Sequence, residues 1–272
     1  MDASARPGAR PSTGRWLEHH YGDNVRILDD PWANALLARL CAPECDTRAA
    51  QPLLDACSRI LLHLAAQELP CISADLPTRM TQDEPRARLR TTLIDPSARA
   101  IVVDIARGGI IPAVHFQRGL MEVLDPEGVR VDHLYLQRTS DPETGAVTGV
   151  HHAGSKIGGP VEGATVFVPD PMAATGASIA YVLDVYRALP AGPPRRIVAC
   201  HLIVTPEYLA RIARNAPDVV VYALRVDRGL SAPEVLAEVP GRRWAEERGL
   251  DAHSYIVPGA GGIGEVLNNA WV

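Results

Sequence analysis

Val166-Phe167-Val168-Pro169-Asp170-Pro171-Met172-Ala173-Ala174-Thr175-Gly176-Ala177-Ser178 runs from a β-branched segment, through an acid, into a turn of small residues and a helical window reaching Ala188. A strand that ends in an acid and then enters a helix through Thr-Gly-x-Ser gathers backbone N–H groups and hydroxyls around one point. That point is an anion site at the positive end of the helix. A ribose 5-phosphate fits such a cradle, with Asp170 at the strand end placed for ribose hydroxyls. The same residues also suit a plain helix start, in which Thr175 or Ser178 only caps the first turn. The stretch has neither the Gly-Lys-Ser/Thr of a Walker loop nor the Gly-x-Gly-x-x-Gly of a dinucleotide fingerprint.

Around this stretch, short β-branched runs alternate with helical windows. Ala100 to Ile105, Val129 to Gln137, Thr165 to Val168, Arg196 to Val204 and Val219 to Val226 read as strands. Pro112 to Met121, Gly176 to Ala188 and Pro206 to Asn215 read as helices. Buried apolar runs separated by helices imply an α/β domain with a parallel sheet covered on both faces. In such sheets ligands bind beyond the carboxyl ends of the strands. Upstream, Ala33, Leu36, Leu37 and Leu40 recur at helical spacing, as do residues from Leu53 to Leu69, and the Pro43 and Pro52 neighbourhoods are expected to separate the helices. From Cys71 to Leu93 the chain is polar and charged, with strand character only near Cys71 and Ile72.

Composition narrows the function classes. The 272 residues carry 27 basic and 32 acidic side chains, a net charge of −5, which makes a poor partner for nucleic acid. Lys156 is the single lysine, so the basic residues are otherwise arginine, as a GC-rich genome would produce. No apolar run approaches the ~20 residues that span a bilayer. Five cysteines, an odd number set mostly in apolar stretches, imply reduced thiols and a cytoplasmic location. Cys41 and Cys45 stand four apart, but no further Cys/His pair completes a zinc site. Residues 1–20 are expected to be a disordered tail, without the apolar core of a secretory signal, and residues 21–272 a single domain.

The loop resembles that of the uracil phosphoribosyltransferase family, which reads Asp-Pro-Met-Leu-Ala-Thr-Gly-Gly-Ser. Further ordered likenesses are Asn24 to Pro31, Ala65-Ala66-Gln67-Glu68-Leu69-Pro70, Ile105-Ala106-Arg107-Gly108-Gly109 and His133 to Arg138. They continue through Thr205-Pro206-Glu207, Pro217-Asp218-Val219, Asp227-Arg228-Gly229-Leu230 and Tyr255-Ile256-Val257-Pro258-Gly259. The resemblance implies a type I phosphoribosyltransferase fold, with an N-terminal helical segment and a flexible hairpin over the site. It implies transfer of the phosphoribosyl group of 5-phosphoribosyl 1-diphosphate to uracil, giving UMP and diphosphate, with magnesium (Mg2+) as cofactor and a homo-oligomeric state.

By the same resemblance, Asp170 and Arg107 are the catalytic pair. Arg107 and Arg138 hold the diphosphate, and Asp170, Pro171, Met172, Ala173, Ala174, Thr175, Gly176, Ala177 and Ser178 form the phosphoribosyl loop. Ile256, Gly261, Gly262 and Ile263 match the segment that reads the base through backbone groups. The Gly-rich stretch 145–159, with His151, His152 and Lys156, lies where the family has its hairpin. A lysine there suits an anionic substrate, and codon chance accounts for it equally well.

The pattern breaks in five places. Gly262 stands where the family has an aspartate facing the ribosyl substrate or its magnesium, and Glu265 takes the place of a second, as a possible metal ligand. Val266 replaces an arginine. Asp104 replaces a proline. Residues 231–254 form an insertion, with short helices at Pro233 to Ala237 and Arg242 to Glu247. These departures lead to two alternatives to uracil transfer: another heterocyclic or aromatic acceptor in specialised metabolism, or a non-catalytic sensor of phosphoribosyl diphosphate or nucleotide.

Overall fold

The computed structural model describes residues 16–140, 147–190 and 192–270, with only the backbone described at 138, 140 and 147–150. Strand β1 (Val25–Ile27) is followed by helices α1 (Pro31–Leu40) and α2 (Thr47–Ala65) and by a ribbon of β2 (Cys71–Pro77) and β3 (Arg88–Ile94). Next come β4 (Ala100–Ala106), α3 (Ile110–Leu120), β5 (Val129–Ser140), β6 (Val147–Lys156), β7 (Thr165–Pro169), β8 (Met172–Ala173) and α4 (Ala177–Arg187). The chain ends with β9 (Arg196–Val204), α5 (Pro206–Asn215), β10 (Val220–Val226), α6 (Pro233–Leu236) and α7 (Ile263–Asn268).

The main sheet has the order β1-β10-β9-β7-β4-β5-β6, with β8 beside β9; all its pairings are parallel except β5 with β6. The expected parallel α/β architecture is therefore present. Its central strands are apolar along their length because helices cover both faces. Val102, Phe167, Val198 and Tyr222 pack beneath Leu37, Leu54, Leu61 and Phe116 on one side. Ile101, Val103, Val166, Val168 and Val221 pack against Ile179, Val182, Tyr208 and Ile212 on the other.

This strand order creates the crevice. After β4 the chain builds outward through β5 and β6; after β7 it builds the opposite way through β9 and β10. The loops following β4 and β7 thus leave the sheet in opposite directions, the arrangement that opens a binding cleft in α/β sheets. Pairing between the two strands covers only Ala100–Val102 with Thr165–Phe167, so their carboxyl ends are free to part.

Three expectations change. Pro52 lies inside α2 rather than ending a helix. It sits in the second turn, where its missing N–H removes one helical bond, at a cost of about 3 kcal/mol. Burial of Leu53, Leu54, Cys57, Leu61 and Leu64 at roughly 1.5–3 kcal/mol for each large side chain outweighs that. Residues 16–20 pack rather than trail away: Trp16 bridges to Leu28, Leu17 N–H bonds the Ile27 carbonyl, and His20 N–H bonds the Pro240 carbonyl. Residues 1–15 lie outside the described part. The charged stretch after Cys71 is a full antiparallel ribbon. Ile72, Ala74 and Leu76 share one of its faces with Leu89, Thr91 and Leu93, an alternation that the density of charged residues obscures. Among the described residues no helix is long and apolar enough to cross a membrane.

Candidate active site

The 170–178 loop is held from below. The Pro171 carbonyl accepts from the N–H groups of Leu202 and Ile203, at 3.0 and 3.1 Å, and β8 pairs with the end of β9. Gly176 then turns the chain at φ +77°, in the left-handed region that favours glycine, and serves as N-cap of α4 without a capping side chain. A side chain at Gly176 would also press Tyr208 and Arg211, each with an atom 3.1 Å from the position of its Cβ. Among the described residues the only side-chain contact to the first-turn amides is Thr175 Oγ1 with Ala177 N–H, at a long 3.4 Å. Capping by Ser178 is not observed, and the helix N-terminus faces the cavity.

Across the crevice, the loop after β4 turns at Arg107, Gly108 and Gly109. The Ala106–Arg107 peptide is cis. A Cβ on Gly109 would stand 2.8 Å from the Ile105 carbonyl oxygen, so only glycine allows α3 to begin there. Gly108 turns its open side to the 170–178 loop, with Asp170 Oδ1 3.8 Å from where a Cβ would lie. Arg107 donates from Nη1 to the Ala270 carbonyl at 2.9 Å, and its Nη2 lies 3.8 Å from Glu265 Oε1.

The third wall comes from residues 254–265. Ile256 faces Leu250 in an antiparallel bridge whose hydrogen bonds run from Val257 N–H to Gly249 and from Asp251 N–H to Tyr255. Ile256 is therefore the non-hydrogen-bonded member, and its own N–H and C=O point away from that ribbon. Buried Asp227 fixes the following turn by accepting from Gly259 N–H at 2.8 Å while paired with Arg225 at 2.6 and 2.8 Å. The 231–254 insertion is anchored by the buried Glu247 carboxylate, which accepts from Tyr21 Oη at 2.6 Å, Arg228 Nη1 at 2.8 Å and Gly241 N–H at 2.8 Å. Burial and the adjacent carboxylate push the Tyr21 hydroxyl well above its ordinary pKa.

These walls enclose a cavity of about 570 Å³. Arg107, Asp170, Met172, Ala173, Ala174, Thr175, Gly176, Ala177 and Ser178 line it together with Ile256, Gly261, Gly262, Ile263 and Glu265. Pro171 is buried beneath the loop and does not line it. Arg138 belongs to β5, paired with Val150, and its side chain lies outside the described residues.

Neither His151, His152 nor Lys156 lines the cavity; His152 stacks on Tyr181 with ring centroids 5.2 Å apart. Asp104 does not line it either, and instead meets His133 Nδ1 at 2.8 Å, burial raising the carboxyl pKa and the His133 contact opposing the rise. Leu136, Gln137, Tyr208, Ser254 and Tyr255 line it without having been expected. Tyr208 opens α5 directly after β9, and a helix start at a strand's carboxyl end was the available sign.

Residues 27–241 match the family model for uracil phosphoribosyltransferase. The chain belongs to the uracil phosphoribosyltransferase family. The uracil phosphoribosyltransferase of Variovorax paradoxus (strain S110) is 27% identical over 242 residues, covering 89% of this chain and 96% of that protein. That of Myxococcus xanthus (strain DK1622) is 27% identical over 245 residues, covering 90% and 96%. Among solved structures, the AQ2163 protein from Aquifex aeolicus superposes with a TM-score of 0.68 at 20% identity over 91% of this chain and 99% of that one, a likeness of fold. The family match ends inside the 231–254 insertion. Residues Tyr255 to Glu265, which form the third wall of the cavity, lie beyond it.

Proposed function

We propose that the protein transfers the phosphoribosyl group of 5-phosphoribosyl 1-diphosphate to a nitrogen of uracil, releasing diphosphate and UMP. The observation that carries this reading is the convergence of three recognition elements on one cavity: the start of α4, the Arg107 guanidinium, and the segment from Ile256 to Ile263. The α4 amides suit the 5-phosphate, since a helix N-terminus favours negative charge. Asp170, just past the end of β7, suits the ribose hydroxyls. Arg107, on the opposite wall, suits the diphosphate, which gains charge as it leaves; its planar fork can hold two oxygens at once. Arg138 belongs to the same subsite by family resemblance. The N–H and C=O of Ile256, with the backbone of Gly261, Gly262 and Ile263, supply the donor and acceptor that a pyrimidine edge requires.

Among the described residues no three metal-ligating side chains gather, so the donor set fits a magnesium ion that enters with the diphosphate rather than one held in a protein cage. Asp170 would hold it from the protein side, and its chemistry there would be to neutralise diphosphate charge. Glu265 is engaged by Arg107. Self-association is part of the reading: the β2–β3 ribbon exposes Ile72, Leu76, Leu89 and Leu93 on one face, and sedimentation velocity tests it.

A second acceptor class is favoured by the insertion, whose last residue, Ser254, stands in the cavity wall beside Tyr255. Incubation with 5-phosphoribosyl 1-diphosphate, magnesium and uracil separates the cases. Formation of UMP supports uracil transfer, diphosphate release only with other bases supports the second acceptor class, and binding without turnover supports a sensor.

A further inference from the structure

Arg107 is already occupied. Its Nη1 donates to the Ala270 carbonyl at 2.9 Å and its Nη2 faces Glu265 Oε1 at 3.8 Å, so the two arms of the guanidinium meet a carbonyl and a carboxylate from the chain's own C-terminal segment. That segment is seated rather than loosely laid. Ile263 and Leu267 of α7 are buried in the core that α2 covers, and Thr47 Oγ1 donates to the Val266 carbonyl at 2.7 Å. Gly264 backs directly onto the Arg107 loop, with Gly108 N 3.6 Å from where its Cβ would lie.

We infer that α7 is a built-in competitor for the Arg107 subsite: Glu265 and the Ala270 carbonyl hold the guanidinium until an incoming diphosphate displaces them. The inference rests on the assignment of Arg107 to the diphosphate. The Arg107 and Glu265 side chains are 39% and 25% exposed, and ion pairs at such partly solvated positions are weak. A diphosphate brings several charges and can engage the fork with two oxygens, so it wins the exchange. The carboxylate at 265 then sets the threshold of affinity, and binding loosens the C-terminal helix from the 106–109 loop.

The test is calorimetric titration of the full-length protein with magnesium diphosphate, in the wild type and in the Glu265→Gln and Arg107→Ala variants. It is paired with hydrogen exchange across residues 263–270. Competition predicts roughly 1.5- to fivefold tighter diphosphate binding in Glu265→Gln, the range expected from removing a partly exposed ion pair. It also predicts faster exchange in the 263–270 amides when diphosphate binds to the wild type. Unchanged binding in Glu265→Gln, or no rise in exchange, overturns it. Weaker binding in Glu265→Gln overturns it in favour of a metal-side role for that carboxylate. If Arg107→Ala abolishes binding while Glu265→Gln changes nothing, competition fails and the Arg107 assignment stands. Unchanged affinity in Arg107→Ala refutes the assignment itself, and the inference with it.

Discussion

The Nδ1 of His201 lies 2.5 Å from the carbonyl oxygen of Asp170. A carbonyl only accepts, so Nδ1 carries the proton, and Nε2 is left to accept from the Tyr208 hydroxyl at 2.7 Å. A fully buried ring thus ties the acid that opens the 170–178 loop to a tyrosine that lines the cavity. The His201→Phe variant leaves the Asp170 carbonyl and the Tyr208 hydroxyl without this partner, at about 1–3 kcal/mol each. We expect a destabilisation of about 2–5 kcal/mol in urea unfolding, and a rise in KM for 5-phosphoribosyl 1-diphosphate larger than any fall in kcat.

The same histidine makes stability depend on pH. Burial pushes its pKa down to about 4, against 6.5 in the unfolded chain. Between these values the unfolded state binds the extra proton, so the contribution is fully present above pH 6.5 and is lost as pH falls toward 4. The loss should reach about 2 kcal/mol by pH 5. Urea midpoints at pH 7 and pH 5 should differ by that amount in the wild type and by much less in His201→Phe. Equal pH dependence in the two proteins would exclude His201 as the source.

Replacing Gly176 with alanine puts a Cβ on a residue with φ +77° and presses Tyr208 and Arg211. The backbone term alone costs roughly 1–2 kcal/mol. Calorimetry should show weaker binding of 5-phosphoribosyl 1-diphosphate, because the N-terminus of α4 shifts, while thermal unfolding moves down only modestly.

Asp132 is fully buried and accepts from Arg130 Nε and Nη2 at 2.9 and 3.0 Å, Gly158 N–H at 2.9 Å and Tyr186 Oη at 2.7 Å. It joins β5, the exit from β6 and α4. The Asp132→Ala variant takes the acceptor away from the buried Tyr186 hydroxyl and from the partly exposed Arg130 guanidinium, and should lose about 2–4 kcal/mol, measured by chemical denaturation.

Glu247 does the equivalent for the insertion, holding Tyr21, Arg228 and Gly241 at once. Loss of its carboxylate in Glu247→Ala should again cost about 3–5 kcal/mol. Because the insertion ends at the cavity wall, steady-state kinetics should show a higher KM for the acceptor with little change for 5-phosphoribosyl 1-diphosphate. Equal effects on both substrates would sink the view that the insertion shapes the acceptor end.

The α/β alternation and the 170–178 turn into α4 were legible in the sequence because their causes are local. A β-branched run, a turn of small residues and a helix start lie within about a dozen positions, and a cradle made mostly of backbone N–H groups needs no distant partner. Glycine at 109 and 176 belongs to the same local chemistry. Tertiary structure alone decided what each loop meets. Arg107 reaches Ala270 across 163 positions, and Tyr21 reaches Glu247 across 226. Asp104 turns to His133 instead of the cavity, and His201 lies beneath Asp170. Strand order sets these encounters, since it decides which carboxyl ends stand side by side. The residues that meet there carry no mark of one another in their own neighbourhoods along the chain.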